Sequence, residues 1–384
     1  MDQKDRQWRQ VIGLVSGVAV AVHAWAEAVH AQSAERLNVP DGFVVEAYAE
    51  GLAGPWGMAF GPGGELYVAL SHAGLLVRLT DADGDGRAEQ PVTLIDDLDR
   101  PSAVSWNGDG LWLAEMGRVI SLHDPEADSA VKYTVVVDSL PTDGPAGRAL
   151  LIEPAGRAFY LSIPASCDVC REDDPRRATV LRFGIRGGEQ ETWARGLRFT
   201  AGLAFHPETG ELWATDLGRL GLGDRLPPDE LNVIRRGRHY GWPYCYGQRV
   251  PNPEYGSLQR CDVTTPPVLS FPAHSAPGGI AFYTADMFPA EYHGDAFVAL
   301  SGSADGGPAL SGFKVVRVRV AAGRPVGFED FVTGWLPRDG RAWGRPVVAL
   351  VGPDGALYVS DVGSGRIWRV SYRGVGERSV GGGR

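Results

Sequence analysis

The segment Gly57-Met-Ala-Phe-Gly-Pro-Gly-Gly-Glu-Leu-Tyr-Val68 decides how this chain is read. An apolar run meets a Gly/Pro turn and is followed at once by a second run carrying an aromatic residue, which is the pattern of a β-hairpin. The pattern returns as Ala103-Val-Ser-Trp-Asn-Gly-Asp-Gly-Leu-Trp-Leu113, as Ala149-Leu-Leu-Ile-Glu-Pro-Ala-Gly-Arg-Ala-Phe-Tyr-Leu161 and as Gly202-Leu-Ala-Phe-His-Pro-Glu-Thr-Gly-Glu-Leu-Trp213. A looser copy joins Gly279-Ile-Ala-Phe-Tyr283 to Ala296-Phe-Val298, and the last is Val347-Val-Ala-Leu-Val-Gly-Pro-Asp-Gly-Ala-Leu-Tyr-Val359. Some copies lead into a third strand, such as Gly365-Arg-Ile-Trp-Arg-Val-Ser-Tyr372. Internal repeats of this kind predict an all-β, six-bladed β-propeller of four-stranded antiparallel sheets, an architecture that protects sheet edges by radial repetition. A β-sandwich is the alternative, in which the similarity would be accidental.

Composition agrees with many short elements. Among 384 residues, 52 are Gly and 27 Pro, a density of breakers that excludes a mainly helical protein. The net charge of -10 argues against a nucleic-acid partner, which needs an excess of Lys and Arg. Lys4, Arg6 and Arg9 precede the apolar run Val11 to Ala26, the form of an export signal, with cleavage expected after Ala31. The expected organisation is a signal over 1–31, a propeller over 32–374 with an insertion at about 221–275, and a flexible tail over 375–384. No other stretch is apolar enough to span a bilayer, so the mature protein is expected without a stable membrane span, in the periplasm or secreted. The four cysteines then favour disulfides over metal thiolates. Three connectivities are possible; nearest neighbours pair Cys167 with Cys170 and Cys245 with Cys261, and a zinc site is the alternative.

The repeat also sorts residues by face. The position leading into the first strand of a hairpin and the position leading out of the second lie at the same end, opposite the turn. The lead-in positions are Trp56, Ser102, Arg148, Arg198, His274 and Arg345. The lead-out positions are His72, Glu115, the Cys167–Cys170 loop, Asp216 to Arg219, Ser301 to Ser303 and Asp361. A single ring of arginines, histidines and carboxylates is thereby expected round one mouth of a channel. Guanidinium forks are apt partners for planar carboxylates, so the ring points to an anionic, oxygen-rich ligand. Separately, Asp81-Ala-Asp-Gly-Asp-Gly86 places Asp81, Asp83 and Asp85 at calcium-loop spacing, although the twelfth position is Val92 and only Glu89 is near to substitute.

Several further segments carry a resemblance: Ala194-Arg-Gly-Leu-Arg198, Gly223-Asp-Arg-Leu-Pro-Pro-Asp-Glu-Leu-Asn232, His239-Tyr-Gly-Trp-Pro-Tyr-Cys245, Ala273-His-Ser-Ala-Pro277, Met287-Phe-Pro-Ala-Glu-Tyr292 and Trp343-Gly-Arg-Pro-Val347. From about Val39 to Tyr372 the chain resembles the soluble sugar dehydrogenases that use pyrroloquinoline quinone (PQQ), particularly the sorbosone and aldose branch. The resemblance implies oxidation of an aldose or aldehyde, with PQQ and Ca2+ as cofactors and an external electron acceptor, a quinone or cytochrome. It implies that Arg198 and Arg345 hold the cofactor or flank the substrate, and Arg148 and Arg219 stand with them as cofactor-binding candidates from the ring. The carbonyls of Gly218 and Arg219 would face the cofactor's calcium, and Glu230 and Tyr240 would belong to a second, structural calcium site.

The chain departs from the family pattern at the ring. Where the family carries its catalytic base histidine, this sequence has Gly144 and Pro145. Arg198 is followed by Phe199 instead of Asn, the segment Leu217 to Leu220 is altered, and Gly302-Ser-Ala-Asp-Gly306 loses a cation. The remaining candidates for the base are His72, His274 and Asp216, with Arg198 beside the chemistry. Two other functions stay open: a propeller that binds a sugar or anionic ligand without redox activity, and a calcium-dependent lactonase using Glu115, Asp216 or Asp361.

Overall fold

A computed structural model describes residues 37–374, apart from Asp109, 126–130 and 304–309. The expected signal over 1–31, the tail over 375–384 and Gly306 lie outside the described residues. Six antiparallel sheets are arranged as the blades of a β-propeller. Each blade's first strand borders the axis: Pro55–Phe60, Ala103–Asn107, Leu150–Ile152, Thr200–Phe205, Pro277–Phe282 and Pro346–Val351. These strands touch in order, and the sixth returns to the first, which closes the ring.

The core consists of six apolar layers between neighbouring blades. Leu66, Val68 and Val77 pack with Tyr358 and Ile367 across the junction of the first and last blades. Equivalent clusters fill the next junctions, for example Trp112 with Phe159, Tyr160 with Leu212, and Trp213 with Phe282. Second strands are covered on both faces by neighbouring blades. Leu66–Leu70, Ala158–Ile163 and Ala296–Leu300 are therefore buried throughout and read as continuous apolar runs instead of alternating ones. Near the axis the blades approach closely. A Cβ on Gly57 would sit 2.6 Å from the Ser102 carbonyl oxygen of the next blade, so only glycine fits there.

Three details differ from the repeat as read in sequence. The sixth blade takes its outer strand from Phe43–Ala49, which pairs antiparallel with Arg366–Tyr372 and fastens the two ends of the chain together. The third blade has five strands, because Arg238–His239 adds in parallel to Glu191–Arg195. The stretch 221–275 is not a single insertion. Asp229–Ile234 and Leu269–Phe271 are the outer strands of the fourth blade, so the excursion proper is the Leu217–Pro228 loop and the segment 235–268. That segment carries the hairpin Cys245–Tyr246/Val250–Pro251 and a short helix, Leu258–Asp262. Disulfides join Cys167 to Cys170 and Cys245 to Cys261. No helix among the described residues is long and apolar enough to cross a membrane.

Candidate functional site

Strand register puts the ring at one end of every blade. Pro55 faces Leu70, Ala103 faces Ala114, Leu150 faces Leu161, Thr200 faces Asp216, Pro277 faces Leu300 and Pro346 faces Asp361. The lead-in and lead-out residues therefore gather at this end, and a central cavity of about 530 Å³ runs along the innermost strands, with Trp56, Ser102 and Arg148 of the ring in its lining.

The arginines of the ring are held by the protein itself. Arg148 is only 3% exposed and donates through Nη2 to the carbonyls of Met116 and Pro141, both at 2.6 Å. Burial, reinforced by Arg177 and Arg176, lowers its pKa to about 10. Its main role is to bind the second and third blades together, since those carbonyls would otherwise be buried without a donor. Arg198 donates from Nη1 to the Gly218 carbonyl at 3.0 Å and pairs through Nη2 with Asp168 at 3.0 Å. The Gly218 carbonyl, expected to face a calcium ion, thus already meets a cation. Arg219 turns its side chain to Glu254, at 2.5 Å, and Asn252. Arg345 reaches the Ser303 carbonyl at 2.9 Å and lies over the Phe313 ring.

The lead-out carboxylates act as caps. Asp361 accepts from Trp335 Nε1 and from the Arg345 amide, each at 2.6 Å, and also from Trp368 Nε1, the Gly363 amide and Ser364. Asp216, at the equivalent place, accepts from the amides of Arg198 and Phe199 and from the Thr200 hydroxyl. Glu115 accepts from the Asp99 amide and from Arg118. All three aim their oxygens into the protein. They form no cluster of three metal-ligating groups with one another among the described residues.

The histidines are not brought together with an acceptor site in one geometry. His274 lies at positive φ and its Nε2 is 2.9 Å from the Gly223 carbonyl, so the imidazole ties the excursion to the fifth blade. His72 is exposed at the same end, stacked against Gly54. Gly144 has φ +114°, and a Cβ there would lie 3.0 Å from Ser166 Cα, so a side chain at that position would be strained.

Beneath Arg198 lies a small polar cavity of about 20 Å³, lined by Asp216, Gly218, Glu230, Tyr240 and Asn252 among others. Glu230 accepts from Asn232 and from the Gly247 amide, and burial pushes its pKa up to about 7. Asp216 is pushed up well above the usual carboxylate range by burial and then by Glu230. The Tyr240 hydroxyl donates to the Val233 carbonyl and accepts from the Arg235 amide, and its own amide donates to the Arg195 carbonyl. The Glu230 carboxylate, which accepts only the bonds from Asn232 and Gly247 among the described residues, is the oxygen donor of this cavity suited to a hard divalent cation. In the separate loop, Asp81, Asp83 and Glu89 oxygens lie within 4.8 Å of one another, whereas Asp85 is outside the group and accepts from the Arg87 amide.

Sequence reasoning missed Asp168. It sits between the paired Cys167 and Cys170 and receives Arg198, Arg219, the Leu220 amide and the Trp242 indole. Its only sequence signal was its place in a lead-out loop.

Residues 181–369 match the family described as glucose/sorbosone dehydrogenase. The match spans just under half of the chain. Residues 29–137 match a domain of unknown function. An uncharacterised protein of Borreliella burgdorferi is 26% identical over 95% of this chain and 96% of its own length. An aldose sugar dehydrogenase of Escherichia coli is 29% identical over 49% of this chain and 45% of its own. Among solved structures, the PQQ domain of pyranose dehydrogenase from Coprinopsis cinerea superposes with a TM-score of 0.74 at 21% identity, covering 87% of this chain and 97% of that one. The PQQ-bound aldose sugar dehydrogenase of Streptomyces coelicolor gives 0.62 at 19% identity, over 87% and 99%. At such identities these two establish a shared fold.

Proposed function

We propose that this protein is an exported quinoprotein dehydrogenase of the glucose/sorbosone dehydrogenase type that oxidises the carbonyl-level carbon of an aldose or an aldehyde, using PQQ and calcium. The observation that carries the reading is the juxtaposition of two buried carboxylates, Asp216 and Glu230, with Arg198 and the Gly218 main chain round one small cavity on the ring face. Glu230, with Tyr240 beside it, would hold a structural cation. Arg198 and Arg345 supply fixed positive charge for the carboxylates of the cofactor. When bound, the quinone would accept the hydride from the substrate carbon. The chain's own part is to orient the substrate against that acceptor and to remove the hydroxyl proton. Of the histidines at this end, His72 is exposed and free to meet a substrate, whereas the His274 ring is engaged with Gly223. Electrons would then leave to a separate quinone or cytochrome, outside the cytoplasm.

The test is to load the purified protein with calcium, titrate PQQ by fluorescence and assay dye reduction with a panel of aldoses and aldehydes. Saturable binding and turnover are expected, and His72→Ala is expected to lower kcat by about 10²-fold or more without weakening PQQ binding. No binding of PQQ would overturn the reading. In that case the second reading applies: a propeller that binds a sugar or anionic ligand without redox chemistry. Gly144 favours it, because a glycine in a strained backbone conformation stands where the resemblance puts the base.

A further inference from the structure

We propose that Asp168 is a positioning residue for Arg198, and that the Cys167–Cys170 disulfide makes this positioning sensitive to reduction. The inference concerns the regulation of the site proposed above and rests on that reading only for its effect on ligand binding. Its basis is a single residue of a short loop that holds four groups through five contacts. The Asp168 carboxylate pairs with Arg198 Nη2 at 3.0 Å and lies 3.7 Å from Arg219 Nε. It also accepts from the Leu220 amide at 2.8 Å. The Asp168 carbonyl accepts from Arg198 Nε at 3.2 Å and from Trp242 Nε1 at 3.0 Å. Leu220 and Trp242 belong to the two parts of the excursion, so one residue of the third blade fixes both parts and the Arg198 guanidinium.

The disulfide is what gives Asp168 its place. A link between residues three apart closes a very short ring, so in the loop-entropy model it stabilises the whole fold far less than a long-range link. Its main consequence is local: it fixes the backbone that aims the Asp168 carboxylate and carbonyl. Accessibility also separates the two disulfides. Cys167 and Cys170 are half-buried, whereas Cys245 and Cys261 are 3% and 1% exposed. Thiolate attack requires access to a sulfur, so a dithiol reductant acts first on the Cys167–Cys170 bond. In that exchange the dithiol is oxidised to its own disulfide, two electrons pass to the S–S bond, and each cysteine sulfur gains a proton. The loop then loses its tie, Asp168 releases Arg198, and the Arg198 Nη2 becomes available to a carboxylate ligand, while Arg219 keeps Glu254 and Asn252.

The experiment compares four samples of the full chain: oxidised protein, protein treated with mild dithiothreitol, Cys167→Ser/Cys170→Ser, and Asp168→Asn. Hydrogen exchange at the Leu220 amide and the emission of Trp242 are read alongside PQQ affinity. Loss of one charge-assisted hydrogen bond should speed Leu220 exchange by about tenfold or more. That change is expected in the last three samples, with a red shift from Trp242 and unchanged exchange in the buried blade strands. Equal Leu220 exchange in oxidised protein and in the double serine variant overturns the proposal, whether or not PQQ binds. Faster exchange with no PQQ binding in any sample supports the Asp168 clasp and removes only the dehydrogenase reading. Asp168→Asn is close to isosteric, and the reduced wild-type chain gives the same readout if that variant does not fold.

Discussion

Asp361 shows how a residue can look catalytic in sequence and be architectural in the fold. It is completely buried, and its two oxygens collect donors from two indoles, two or more amides and a hydroxyl. Replacing it with Asn puts an NH2 group against some of those donors, so Asp361→Asn should cost about 3 kcal/mol or more, as expected for breaking several hydrogen bonds to a buried charge. The measurement is urea unfolding, with a lower midpoint at unchanged slope. The pairing of Asp216 with Arg198 and of Asp361 with Arg345 was present in the sequence as a repeat of lead-out Asp and lead-in Arg. It was read as a ring of ligand-binding groups because sequence shows which residues share a face, not which of their atoms are already engaged. Arg148 illustrates the same limit, since its acceptors are main-chain carbonyls that no side-chain pattern can reveal.

At the scale of elements, the hairpins were legible because each is local: two strands, a Gly-containing turn and a fixed spacing. The strand Phe43–Ala49 was not, because its partner Arg366–Tyr372 lies more than 300 residues away and its own burial does not alternate cleanly. It nevertheless closes the ring. Phe43 meets the rings of Phe288, Tyr292, Phe331 and Tyr372 at centroid distances of 4.8 to 5.3 Å. Phe43→Ala should therefore destabilise the protein by about 3–5 kcal/mol, the usual range for emptying such an aromatic site. Removing the strand altogether should do more, because it bares a sheet edge and the aromatic cluster together. Light scattering of a chain starting at Glu50 should show aggregation, whereas the Phe43→Ala protein should stay dispersed with a lower Tm.

For the whole molecule, the cavity that holds Glu230 and Asp216 joins separate parts of the ring. Glu230 and Asp216 are on the fourth blade, and Tyr240 follows the strand that the excursion adds to the third. A divalent cation there would fasten these blades and the excursion at once, so its effect should appear in global unfolding. Charge gives the pH dependence a sign. The pKa of Glu230 in the folded protein, about 7, is above the ordinary value of 4.5. In metal-free protein its contribution is fully present below the ordinary value and is lost as pH rises through about 7, where the buried carboxyl must ionise. Calcium bound there would take the ionised form and compensate that loss. A free concentration a hundredfold above Kd would add about 2.7 kcal/mol. Calcium should therefore raise Tm clearly at pH 8, where the carboxylate is ionised, and little at pH 5.5, where it is protonated. A chelator should reverse the rise. Glu230→Gln should keep the pH 5.5 stability of the metal-free protein, since an amide imitates the protonated acid, and lose the calcium response at pH 8. Scanning calorimetry of both proteins at the two pH values, with and without calcium, measures every part of this, and an equal calcium shift in wild type and Glu230→Gln would place the stabilising ion elsewhere.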